Sequence, residues 1–147
     1  MNTMPALSQN LLFTVNSTST TIVNYPNTGT TALTFLSNKV KGDGYFGGSD
    51  GFHTVQIQVS NFIGKLEMQA TLASEPTETD WFGVELGSNS SSVDTTGVLS
   101  ESNITYVSYN QATTNIKTYN FTGNFVWVRS KISEFTKGSV NSVKYNH

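Results

Sequence analysis

Cysteine is missing from all 147 residues, so neither a disulfide nor a thiolate metal site can be built. Charge is scarce too: Asp, Glu, Lys and Arg make up 12% of the chain, about half the share usual in soluble domains. Ten acidic residues against eight basic ones leave a net charge of −2. With no basic run or stripe, the electrostatic footprint of a nucleic-acid binder is missing. No apolar run approaches the roughly 18 residues needed to span a bilayer as a helix, so no membrane partner is expected. Met1–Leu7 lacks the basic and then apolar pattern of a signal peptide. A protein of this kind found outside a cell would have left by another route, such as lysis.

Uncharged polar residues fill the gap. The chain holds 18 Ser, 21 Thr and 15 Asn, together 54 of its 147 residues. Thr suits strands, while Asn and Ser suit turns. Such a surface is wet but weakly repulsive, as in extracellular β-domains and virus-particle proteins, and it suits packing against neighbours. The length favours one domain, which can bury roughly 70% of its unfolded surface without staples. Residues 1–10 show no strand pattern and read as an N-terminal arm or frayed segment, leaving 11–147 as a β-sandwich domain.

Alternation is the dominant pattern. In Thr54–Ser60, Val55, Ile57 and Val59 point one way, and Thr54, Gln56, Gln58 and Ser60 the other. Leu66, Met68, Ala70 and Leu72 repeat this after the short link Asn61–Gly64, which predicts an antiparallel pair. Further strands are predicted at Leu11–Val15, Thr20–Asn24, Ala32–Leu36, Trp81–Leu86, Ile104–Tyr109, Asn115–Phe121, Phe125–Lys131 and Ser139–Tyr145. One helical turn is placed at Thr77–Asp80. No segment carries a 3.6-residue apolar period. The prediction is an all-β, single-domain antiparallel sandwich of jelly-roll type with roughly nine or ten strands.

Chemistry-bearing residues are few. Lys41–Gly51 holds five glycines and two aspartates. Asp43 and Asp50 either supply oxygens to a Ca²⁺ ion or bond their own backbone in turns. Two carboxylates at this spacing favour the turns, so no metal is expected. Tyr45, Phe46 and Phe52 either contact a sugar or a neighbouring subunit or plug one end of the sandwich; Tyr45 and Phe46 are adjacent, so in an extended segment only one of those two can face the core. Trp81 and Trp127 fall on the wet parity of their strands, which marks an interface or ligand platform unless a loop covers them. Arg129, two residues from Trp127, is placed to stack on it.

His53 shares parity with Val55 and reads as a satisfied histidine at a strand entrance. With only His147 besides it, a multi-histidine metal site is excluded. No Gly-x-Ser-x-Gly elbow appears. Glu67, Glu85 and Glu101 do not make a convincing glycosidase pair, because Glu67 and Glu85 fall on solvated faces. No catalytic residue and no cofactor are expected, and the chain is not read as an enzyme.

The runs Gly42–Gln56 and Gln69–Phe82 resemble small virion structural proteins of tailed bacteriophages, particularly those of marine cyanobacteria. The segments Gly123–Arg129 and Phe135–Val140 resemble the closing hairpin of galactose-binding-like jelly rolls, a sandwich type that also serves as carbohydrate-binding modules and phage appendages. The resemblance implies a non-enzymatic virion component in a capsid-decoration, neck or tail position. Its expected partners are other virion proteins and copies of itself, a trimer being the simplest ring, with a surface glycan as a further one. The alternative function is a carbohydrate-binding module.

Overall fold

A strand of 20 residues, Phe52–Thr71, runs down the middle of the main sheet in the computed structural model, which describes residues 8–26, 31–47, 51–88, 92–93, 99–100 and 103–147. It pairs antiparallel with Val107–Thr122 on one side and Trp127–Asn146 on the other. Straight, such a strand would measure about 66 Å. Yet Thr122, opposite Phe52, is followed by only four residues before Trp127, opposite Thr71. Five residue steps reach at most about 18 Å. The three long strands must therefore fold back on themselves, bringing their tips together. The link 123–126 closes the gap: the Gly123 N–H donates to the Gly51 carbonyl at 3.0 Å, and the Val126 N–H to the Thr71 carbonyl at 3.0 Å.

The fold-back is made by bulges. Register slips between Tyr109, Thr113 and Asn115 in one strand, and between Ser133, Lys137 and Ser139 in another. Asn61, Glu134 and Gly138 all have positive φ there, at 49°, 49° and 81°. A bulge inserts one residue and bends the strand. It also reverses side-chain parity, so the buried set passes from Val55, Ile57 and Val59 to Phe62, Leu66, Met68 and Ala70 without leaving the core. The expected hairpin at Asn61–Gly64 is thus one continuous strand with a bulge. The expected strand pairs at 104–121 and 125–145 are likewise single bent strands, Val107–Thr122 and Trp127–Asn146.

The two halves of the long strands form the two layers of an all-β antiparallel sandwich, as the alternation predicts. Ten strands make the main sheet. Short strands close its sides. Gln9–Asn10 pairs with Lys144 and Tyr145 in one layer, while the Asn38 N–H bonds the Leu12 carbonyl from the other. Opposite, Phe82–Gly83 pairs with Gln69 and Ala70, and Leu86–Ser88 with Tyr119 and Asn120. Gln9 and Asn10, expected in a terminal arm, are therefore part of the sheet; residues 1–7 of that arm lie outside the described residues. The predicted helical turn is a 3-10 turn, Glu78–Asp80, held by a reciprocal Thr77–Asp80 capping box. No described helix is long and apolar enough to cross a membrane.

Candidate functional site

Backbone pairing decides where the candidate residues go. Lys41 pairs with Trp127 and Val40 with Val128. Val40 and Val128 are buried, so alternation turns Lys39, Lys41, Trp127 and Arg129 to the outer face of the same layer. Just after Lys41 the chain makes a 3-10 turn, Asp43–Phe46. Gly42 and Gly44 lie flat against the 123–126 link: their N–H groups donate to the Val126 and Phe125 carbonyls at 2.9 and 2.8 Å. A Cβ at Gly44 would run into the Asn124 carbonyl, so this approach requires glycine.

That turn brings Tyr45 onto Trp127, with ring centres 5.1 Å apart, and Phe46 against Tyr45 at 5.3 Å. Both Tyr45 and Phe46 are exposed, Phe46 to 62%. The turn is not extended, so neither ring enters the core. Lys39 Nζ lies 4.5 Å above the Trp127 ring centre and Lys41 Nζ 4.5 Å above that of Tyr45. Each is a cation–π pair at a half-wet surface.

Trp127 is only half-buried, and its indole N–H donates to the Ser74 carbonyl at 2.9 Å. The 73–80 loop has folded over the outer face. Arg129 lies beneath that loop and is 7% exposed. Its guanidinium stacks on Trp81, 4.2 Å from the ring centre, and not on Trp127 as the sequence suggests. It also makes paired bonds to Glu78 at 3.3 and 3.2 Å and donates from Nε to Gln69 Oε1 at 2.8 Å. Trp81 and Arg129 are thus tied into a loop clamp, whereas Tyr45 and Phe46 are open.

The same end of the sandwich exposes more apolar surface. Phe52 and Thr71 are the two tips of the central strand; Phe52 is 67% exposed, and Leu72, next to Thr71, is 66% exposed. Phe82 is also exposed, although it alternates with the buried Val84 and Leu86, and its ring meets that of Phe125 edge to face with centres 5.7 Å apart. It pairs at the very tip of the layer, opposite Ala70, where little remains to cover it.

Behind this surface His53 is fully enclosed, as expected of a strand-entrance histidine. Its Nε2 lies 2.6 Å from the Gly123 carbonyl and its Nδ1 2.6 Å from the Tyr145 hydroxyl. A carbonyl only accepts, so Nε2 carries a proton, and in the neutral ring Tyr145 donates to Nδ1. The ring stacks on Phe121 at 4.7 Å. Burial, with Asp43 nearby, raises the Tyr145 phenol well above its ordinary pKa.

Asp43 accepts from the Gly51 N–H at 2.9 Å and lies 3.8 Å from His147 Nδ1, a turn-holding role. Asp50 and Glu101 lie outside the described residues. Among the described residues no group of three or more His, Asp or Glu side chains could hold a metal ion. Glu67 is engaged by Gln69 at 2.9 Å and Lys131 at 3.9 Å, and Glu85 is exposed.

No protein-family model matches the chain, and no curated protein matches it in sequence. Among solved structures it is similar to the SPBc2 prophage-derived protein YomS, with a TM-score of 0.45 and 12% identity over 98% of this chain and 96% of that one. At that TM-score the two folds diverge too far for function to be carried between them.

Proposed function

We propose that this protein is a non-enzymatic structural component of a phage particle, in a capsid-decoration, neck or tail position, and that it acts by assembling with neighbouring proteins and with copies of itself. The observation that carries this reading is the apolar tip. Tyr45, Phe46, Phe52, Leu72 and Phe82 are exposed together at one end of a sandwich whose interior is otherwise filled. Clustered exposed apolar groups mark contact surfaces, and aromatic residues anchor them. The sequence resemblance of 42–56 and 69–82 to virion proteins falls on the same end. A closed symmetric homo-oligomer, a trimer in the reading from sequence, would bury such a surface.

The test is native mass by light scattering after size exclusion, at micromolar concentration. A stable oligomer is expected from the natural chain and a monomer with unchanged circular dichroism from the triple variant F46S/F52S/L72S. A clean monomer from the natural chain would overturn self-assembly. A second reading, a carbohydrate-binding module, is favoured by the aromatic and lysine side chains that line a groove beside the tip.

A further inference from the structure

Beside the tip lies a groove of about 350 Å³ lined by Gln9, Asn38, Lys39, Lys41, Phe46 and Trp127. From its chemistry we infer that it is a site for an acidic saccharide, a pyranose chain bearing carboxylate or sulfate groups. The inference rests on the carbohydrate reading given above and supplies its ligand class.

Three features of the lining point the same way. Phe46, exposed although it stacks on His147 at 5.5 Å, offers ring surface for the apolar C–H face of a sugar, as aromatic side chains do for flat ligands, while the Trp127 ring is already met by Lys39 and Tyr45 and forms the wall of the groove. Gln9 and Asn38 offer amides for hydroxyls. Asn38 already accepts from the Leu12 N–H at 2.8 Å through Oδ1, which fixes the side chain and turns its NH₂ outward as a donor. Lys39 and Lys41 supply the charge. Two positions apart on one strand face, their stems stand about 7 Å apart. Neither makes an ion pair among the described residues, as is also true of Lys117, Lys137 and Lys144; what sets Lys39 and Lys41 apart is that both line one groove. Their ammonium groups rest on aromatic faces and remain open to an incoming anion.

A peptide fits this surface less well. Peptide anchors need a desolvated apolar pocket, and this groove is an open trough with amides and ammonium groups along it. The volume suits a short saccharide, at the small end of ligand sites.

Titration calorimetry of the full chain with tetragalacturonate, neutral galactotetraose and a poly-glutamate peptide tests the inference. Tetragalacturonate should bind, and K39Q/K41Q should weaken it by about tenfold or more, as expected on losing two surface ionic contacts. Native mass in K39Q/K41Q should stay that of the natural chain, so that lost sugar binding there is not lost assembly. Equal binding of galactotetraose would overturn the acidic specificity and leave the carbohydrate reading standing. Binding of neither sugar would overturn both. Poly-glutamate binding as tight as tetragalacturonate would reduce the groove to a charge-only surface and overturn the saccharide assignment.

Discussion

At the bend, Phe62, Phe135 and Tyr109 turn their rings into the core; at the tip, Phe46, Phe52 and Phe82 turn theirs outward. In the bend, Phe62 sits 5.0 Å from Tyr109 and 5.1 Å from Phe135, edge to face, with no exposed surface of its own. Each ring there fills space opened by the bulges. The tip also has an inner ring cluster, of His53, Phe121, Phe125 and Tyr145, which already closes the core. The rings outside it add little to folding. One end therefore holds the fold and the other presents a surface, although both are aromatic.

Substitutions at the two ends should separate these roles. The largest effect belongs to Phe62→Ala, which empties the centre of the bend and should lose about 3–5 kcal/mol of stability in urea denaturation. Gly138→Ala comes next. Its φ is +81°, and a Cβ there would strike the Asn61 and Ser60 carbonyls. The expected loss is roughly 2–3 kcal/mol, and a loss within experimental error would show that the bend tolerates a different backbone path.

Tyr109→Phe should move stability the other way. The Tyr109 hydroxyl is buried with no hydrogen-bond partner among the described residues, and its removal should be neutral or stabilising by up to ~1 kcal/mol. It should also blunt alkaline unfolding. Burial, reinforced by Tyr119, raises the Tyr109 pKa in the folded state. A raised folded pKa means that the contribution is intact below the unfolded phenol pKa of about 10 and is lost as pH climbs above it. Tyr119 and Tyr145, also raised by burial, share that sign, so the natural chain should lose stability on the alkaline side of pH ~10. Equilibrium unfolding between neutral and alkaline pH would show this, with a shallower decline in the Tyr109→Phe variant. The smallest effect is at the tip: Phe52→Ser should change stability by no more than about 0.5 kcal/mol while weakening association, which concentration-dependent sedimentation would detect.

The same contrast explains what was legible in the sequence. The alternation of Val55, Ile57 and Val59 fixes a half-buried strand, and so does that of Leu66, Met68 and Ala70. Between them the parity slips by one at Asn61. A bulge and a tight link leave the same trace in sequence, because both interrupt alternation over a few polar or glycine positions. Only the partner strands, which bulge at the same level, show that the chain continues. Outward parity correctly placed Trp127 and Arg129 on the outer face. The stacking partner of Arg129 was not legible, because it depends on the path of the 73–80 loop that carries Glu78 and Trp81 over that face. Lys39 and Lys41 were missed as site residues. Their signal was present in Lys39-Val40-Lys41, where an inward valine puts both lysines outside, but only pairing with Trp127 gives that face a meaning.

Hydrogen exchange at low and high protein concentration would most directly test the division of labour between the two ends. Concentration-dependent protection is predicted at Lys41–Gly47, Gly51–His53, Thr71–Ala73 and Phe82–Gly83, with none at Tyr109–Thr114 and Ser133–Gly138. Protection gained at the bend, or no change at the tip, would contradict the claim that the tip is the contact surface.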